Sequence, residues 1–144
     1  GIKTPAMFSG YVGLNKSKKT FINKYFLSGD LAKRINENIF FVDRNKDIII
    51  KGGINISPQE IDNCLQAHSS IKESATIGIK DNFFGENIKS YIVLLKNKKV
   101  RERELLKYCK GKLGFFKSPI DIQIINELPK TQSGKILKRL LKNN

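Results

Sequence analysis

Three isoleucines, Ile48 to Ile50, run into the glycine pair Gly52-Gly53, and four residues further on Ser57 and Pro58 open a stretch of helical spacing. β-Branched residues suit a pleated strand, and a glycine pair at its end marks a turn or a close approach of backbones. Pro58 fits the first helical position, where no N–H is needed, with Ser57 as N-cap and Glu60 as the partner in a capping box. Ile61, Cys64 and Leu65 then share one face, so the stretch predicts a strand followed by a helix from about Pro58 to Ala67. A chain organised around this unit must supply a sheet beside the strand and a core beneath the helix.

The other segments supply both. "LAKRI" and "IFFV" flank "NEN", a strand-turn-strand pattern between Tyr25 and Val42. "SATIGIK" and "SYIVLLK" read as strands separated by the polar "DNFFGEN" loop. "RERELLKYCKGKLG" reads as an amphipathic helix closed by Gly114, "IDIQIIN" as a further strand, and Ile136, Leu137, Leu140 and Leu141 as the apolar stripe of a helical tail. After Lys46 the order is strand, helix, strand, strand, helix, strand, helix. That order predicts an α+β fold, a small mixed sheet with helices packed on it. Residues 1–45 offer strands and turns with little core of their own, residues 46–144 can bury a complete core, and the polar stretch "DRNKD" divides them.

Two compositional facts narrow the function. The formal charge of +14, from 27 Lys and Arg against 13 Asp and Glu, favours anionic partners. The excess is mainly lysine accompanied by asparagine and isoleucine, the trio an AT-rich genome enriches, so a solvated lysine surface accounts for it as well. Cys64 and Cys109 fall in apolar-periodic segments rather than at metal-ligand spacing, and read as reduced core thiols of a cytoplasmic protein; no metal site is implied. The chain has no apolar run long enough for a membrane span, and "GIKTPAMFSG" lacks the pattern of a signal peptide. Its first residue is glycine, which points to a processed or cut chain.

Near the other end, "PKTQSGKILKR" places Gln, Ser and Gly directly ahead of Lys135. Ser133 and Gly134 give the backbone freedom, and the apolar stripe that follows anchors the far side. Lys135 is expected at the joint, on a loop built to move.

Four stretches in one order, "YFLSGDL", "DRNKDIIIKGGINISPQEID", "FKSP" and "LPKTQSGKILKR", resemble the C-terminal signature of the adenylate-forming superfamily of acyl-CoA synthetases, luciferases and peptide-synthetase adenylation domains. The resemblance covers nearly the whole chain. It implies an enzyme that joins a carboxylic acid to AMP using ATP and then passes the acyl group to a thiol, with a mobile C-terminal domain rotating between the two steps. Residues 1–45 would then be a β-strand remnant of the large N-terminal domain, and 46–144 the mobile domain.

The resemblance assigns roles residue by residue. Asp30 resembles the aspartate that accepts hydrogen bonds from the ATP ribose hydroxyls, and Arg44 the arginine that reaches ribose or phosphate. Lys46 stands where the family places its hinge. Gly52 and Gly53 resemble the loop past which a pantetheine arm reaches the active site, although a plain turn explains a glycine pair equally well from spacing. Lys135 resembles the catalytic lysine of adenylation. Glu60 matches the family too, and its work as a helix cap suffices.

The chain carries neither the Ser/Thr/Gly-rich phosphate loop nor an acid-binding pocket, which the family holds on the large N-terminal domain. The implied function is therefore the C-terminal part of an ATP-dependent, AMP-forming acyl-CoA ligase, inactive in isolation. ATP and Mg2+ would bind mainly to the large domain, and CoA or carrier-protein phosphopantetheine would be the thiol substrate. Partners would be that domain, a carboxylic acid and CoA or an acyl carrier protein. One alternative is an adenylation protein that loads a carrier protein. Another is a stand-alone basic module for anions or nucleic acid, disfavoured because the pairs Phe40-Phe41, Phe83-Phe84 and Phe115-Phe116 sit beside apolar residues rather than in a stacking pattern.

Overall fold

The computed structural model describes residues 1–7 and 20–142. Residues 8–19, inside the segment expected to be a β-strand remnant, and residues 143–144, at the end of the helical tail, lie outside the described residues. The chain divides into two compact units, Gly1–Lys46 and Asp47–Asn144.

The first unit consists of two small antiparallel ribbons. β1 (Phe21–Ile22) pairs with β2 (Tyr25–Phe26), and β3 (Asp30–Ile35) pairs with β4 (Asn38–Arg44). Asn36 opens the β3–β4 turn with φ 55°, a left-handed conformation that asparagine tolerates. The ladder slips by a bulge between Leu31 and Ala32, so Asp30 comes to lie opposite Arg44. Asn45–Asp47 then forms one turn of 3-10 helix.

The second unit is a five-stranded mixed sheet. β5 (Ile49–Lys51), β6 (Ile54–Ile56), β7 (Ile71–Asp81) and β8 (Gly85–Leu94) run antiparallel in the order β6-β5-β8-β7, and β9 (Asp121–Ile124) joins β8 in parallel. β7 occupies the whole of one edge of β8. The other edge is shared, with Lys51 of β5 opposite Gly85 and β9 alongside Lys89–Ile92. The expected α+β class and mixed sheet are what the chain forms.

Alternation along β8 separates two cores. Ile88 and Ile92 face helices α1 (Pro58–Gln66) and α2 (Glu102–Lys117), burying Ile61, Leu65, Leu105 and Cys109 against Ile49, Ile56 and Ile122. Tyr91 and Val93 face the opposite way, where Ala75, Ile77, Leu128 and Leu141 close a second cluster with Ile125 and Ile136 at its margin. The C-terminal segment thus covers the sheet face that the helices leave open. It ends in the single turn α3 (Lys138–Leu141), whose Leu141 carbonyl accepts the Tyr91 hydroxyl at 3.1 Å.

Several local expectations need correction. The expected order after Lys46 has no strand between the glycine pair and the helix, but Ile54–Ile56 forms β6, and its pairing with β5 through a two-residue turn makes "IIKGGINI" a hairpin. Ser57 makes no side-chain capping bond, and Glu60 instead binds Lys117 through both oxygens at 2.8 and 2.9 Å. An exposed lysine across the α1–α2 contact competes better for that carboxylate than one backbone N–H. Gly114 breaks α2 with φ 77° and ψ 170°, but the helix resumes through Lys117 instead of closing there.

Candidate functional site

In the first unit, the register that sets Asp30 opposite Arg44 produces an ion pair, Arg44 Nε to Asp30 Oδ1 at 3.2 Å. Gly29, at φ 78°, lets the chain turn into β3, and its carbonyl accepts the Asn45 N–H at 2.8 Å. The Asp30 N–H donates to the Ser28 hydroxyl at 3.3 Å, and the Arg44 N–H to Asp43 Oδ1 at 2.7 Å. A carboxylate and a guanidinium are therefore held side by side and partly open to solvent. Each keeps hydrogen-bonding capacity for a further ligand. Lys46 is exposed, within the 3-10 turn where the first unit ends.

In the second unit, Gly52 and Gly53 are the central residues of the β5–β6 turn, with φ 56° and 80°. Two successive positive φ values define the turn that matches strand twist, and glycine adopts it without strain. A side chain at Gly52 would also meet the Phe84 and Phe116 rings at 3.3 Å, whereas one at Gly53 would have open space within 4 Å. The preceding Lys51 is only 2% exposed and lies between the same two rings, its Nζ 5.5 Å from the Phe84 centroid and 5.1 Å from that of Phe116. Burial lowers the pKa of this ammonium, and Asp81 opposes the shift. Asp81 is itself pulled below the usual carboxylate range by accepting the Phe84 N–H, the Asn87 side chain and the Phe83 N–H.

Lys135 sits on a closed hairpin, and here the expectation of a loose loop fails. Lys130 bridges Ile136, the Thr131 N–H donates to the Lys135 carbonyl at 2.8 Å, and the Gly134 N–H donates to the Thr131 carbonyl at 2.9 Å. The Lys135 N–H reaches the Thr131 hydroxyl at 3.1 Å, and that hydroxyl pairs with Ser133 at 2.9 Å. Ser and Thr side chains here tie the backbone of a turn rather than loosen it. The Lys135 side chain is exposed at the tip.

The Gly52-Gly53 turn joins the sheet where β7 meets β8, at Asp81–Gly85. The Lys135 hairpin is tied near the start of β7, at Glu73, and through Asp62 at the level of Thr76. Five to eight residues of strand separate the attachments, roughly 17–26 Å. The structure therefore places the two expected catalytic elements at different ends of the sheet.

Sequence reading missed the charges that hold this arrangement: Lys51, Asp62, Glu73, Lys130 and Lys138. For Asp62 a signal was present. Pro58, Ile61, Asp62 and Leu65 form the buried face of α1 at i, i+3, i+4 and i+7, so a carboxylate stands on an apolar stripe. The aromatic argument against a nucleic-acid module also fails, since Phe40, Phe41, Phe83 and Phe115 are exposed. In β4 the neighbours Phe40 and Phe41 point to opposite faces of a two-stranded ribbon, while Phe83 lies in the β7–β8 turn and Phe115 in α2. Among the described residues there is no cluster of His, Cys, Asp or Glu fit for a metal, and no helix long and apolar enough to cross a membrane.

The second unit is thus a small mixed sheet with two helices on one face and a lysine-bearing hairpin secured to the other. Residues 60–135, more than half of the chain, match the AMP-binding enzyme C-terminal domain family, and the chain belongs to that family. It is 37% identical to a long-chain-fatty-acid–CoA ligase of Bacillus subtilis, over 97% of this chain and 25% of the relative. Among solved structures it resembles ATP-bound MatB from Rhodopseudomonas palustris, at 32% identity and a TM-score of 0.92, covering 98% of this chain and 29% of that one. It also resembles the o-succinylbenzoate CoA synthetase of Bacillus subtilis in complex with its acyl-adenylate intermediate, at 33% identity and a TM-score of 0.89, over 99% and 29% of the two chains. The chain spans about a quarter of the length of the curated relatives it matches.

Proposed function

We propose that the chain is the mobile C-terminal portion of an AMP-forming acid–thiol ligase, residues 46–144 being the mobile domain and 1–45 the tail of a large N-terminal domain. The observation that carries this reading is the separation of the Lys135 hairpin from the Gly52-Gly53 turn along one rigid sheet. Neither element can replace the other at a common reaction centre unless the whole domain turns. Lys46, in the turn at the division between the two units, is the hinge.

When the carboxylate attacks the α-phosphorus of ATP, a carboxylate oxygen bonds to phosphorus as the α–β phosphoanhydride bond breaks and pyrophosphate leaves, and negative charge accumulates around both partners. A compact ammonium brought between them by the hairpin stabilises that arrangement more than the separated reactants. Asp30 accepts from the ribose hydroxyls while Arg44 steadies its carboxylate and reaches toward ribose or phosphate. Mg2+ and most contacts to ATP belong to the large domain. Once acyl-AMP has formed, rotation withdraws Lys135 and brings in the glycine turn, past which the pantetheine arm of CoA approaches the acyl carbon. CoA is favoured over a carrier-protein thiol because two of the relatives named above, both from Bacillus subtilis, are a CoA ligase and a CoA synthetase.

The half-reactions test the assignment in the intact ligase containing this chain. Lys135→Ala should slow acyl-AMP formation by about 10²–10³ and spare thioester formation from supplied acyl-AMP. Gly53→Leu should do the reverse. Equal losses in both steps for both variants would refute the alternating role.

A further inference from the structure

Three lysines bracket the hairpin, and their surroundings differ. Lys130 Nζ, on the incoming limb, binds both oxygens of Glu73 at 2.8 and 2.7 Å. Lys138 Nζ, on the outgoing limb, lies 3.2 Å from Oδ2 of Asp62, whose Oδ1 accepts the Thr76 hydroxyl at 2.7 Å. Asp62 is buried, and Thr76 in turn pairs with the buried Ser90 hydroxyl at 2.7 Å. The Lys135 ammonium has no hydrogen-bond or ion-pair partner among the described residues.

We propose that Asp62 and Glu73 are positioning residues for Lys135: by holding Lys138 and Lys130 they secure both limbs of the hairpin and leave Lys135 as the unpaired ammonium at its tip. The proposal rests on the reading of Lys135 as the adenylation lysine.

Two features make ion pairs suited to this task. Apolar anchors such as Leu128, Ile136 and Leu141 tolerate small slides, because one aliphatic contact replaces another. A buried carboxylate matched to one lysine does not, since a slide of one residue strands the charge away from its partner. Lys138 reaches Asp62 around β7, the edge strand, from the face covered by Leu141 to the face covered by α1. Only one register of the segment allows that reach. The pairs also keep Lys130 and Lys138 from competing for a phosphate, and keep Asp62 and Glu73 from neutralising Lys135.

The test uses the intact ligase with variants Asp62→Asn, Glu73→Gln, Lys138→Arg and Lys135→Ala. A displacement of about 1 Å at a reacting group can cost up to 10²-fold, so Asp62→Asn should lower kcat for acyl-AMP formation by about 10–100-fold. The KM for ATP and thioester formation from supplied acyl-AMP should stay near wild type. Glu73→Gln, at a more solvated pair, should lower the same rate by about threefold, and Lys138→Arg, which preserves the pair, should retain most activity. Hydrogen exchange of residues 129–140 should accelerate in Asp62→Asn and Glu73→Gln but not in Lys138→Arg. Wild-type exchange in both carboxylate variants, or equal losses in both half-reactions, would overturn the proposal. If Lys135→Ala retained adenylation the catalytic reading would fall, while the exchange measurement would still decide whether these carboxylates hold the hairpin.

Discussion

The first 46 residues and the remaining 98 are both rich in alternating strands, yet among the described residues only the second set encloses a core. Every position of β3 is exposed, and in β4 only Asp43 is buried. In β8, by contrast, both faces are buried, one beneath two helices and the other beneath the C-terminal segment. Alternation tells a strand which of its faces is apolar, but burial requires a second layer. Ile39, Phe40 and Phe41 have none among the described residues of their own unit, and the proposed large domain is the body that would provide one.

The largest test of this contrast is truncation of side chains. Leu65→Ala or Ile92→Ala, at positions with no exposure, should cost about 2–5 kcal/mol in urea unfolding, through lost burial and the cavity left behind. Ile39→Ala on β4, where the side chain is 74% exposed, should change stability by less than about 0.5 kcal/mol. A comparable cost at Ile39 would show that residues 1–46 possess a core after all. Repeating Ile39→Ala in the intact ligase sharpens the contrast, because there the same change should become destabilising.

A smaller effect separates glycines with different surroundings. Gly52→Ala combines a positive φ with ring contacts at 3.3 Å and should cost about 2 kcal/mol of the stability of residues 47–144. Gly53→Ala carries the conformational strain alone, about 1 kcal/mol. Gly29→Ala carries the same kind of strain in the first unit and should leave the unfolding midpoint of the second unchanged. A shift of that midpoint by Gly29→Ala would mean that the two units unfold as one.

The same contrast explains what could be read from the residues. Strand and helix positions in the second unit followed from Ile48–Ile50, the Ser-Pro start of α1 and the Ile61/Leu65 face, because local pattern and tertiary burial agree there. The family resemblance located Asp30, Arg44 and Lys135 without showing how they are held. Glu73–Lys130 and Asp62–Lys138 join residues 57 and 76 positions apart, and no local rule selects one lysine among 27 Lys and Arg for a given carboxylate. Glu60 misled for the same reason, its better partner being 57 residues away. "TQSG" misled because serine and threonine next to glycine can either free a backbone or tie it, and the tie depends on Thr131 facing the Lys135 N–H.

A last predicted effect concerns pH and belongs to the core beneath α1 and α2. Burial, and then the neighbouring Cys64 thiol, push Cys109 up to about 12, and burial raises Cys64 as well. In the unfolded chain a thiol ionises near its ordinary value of 9.0. Between that value and about 12 the folded state retains a proton that the unfolded state has lost, so stability falls as pH rises through this window and is unaffected below it. Lysine deprotonation also changes stability there, so the comparison must be with Cys109→Ala, which removes the thiol and leaves every lysine in place. That variant should start less stable at pH 8, because a buried side chain is shortened. Between pH 8 and pH 10 it should lose about 1 kcal/mol less than wild type in urea unfolding, close to the effect of one pH unit on a single titrating group. Identical slopes for the two proteins would place Cys109 in contact with water and remove it from the core beneath α2.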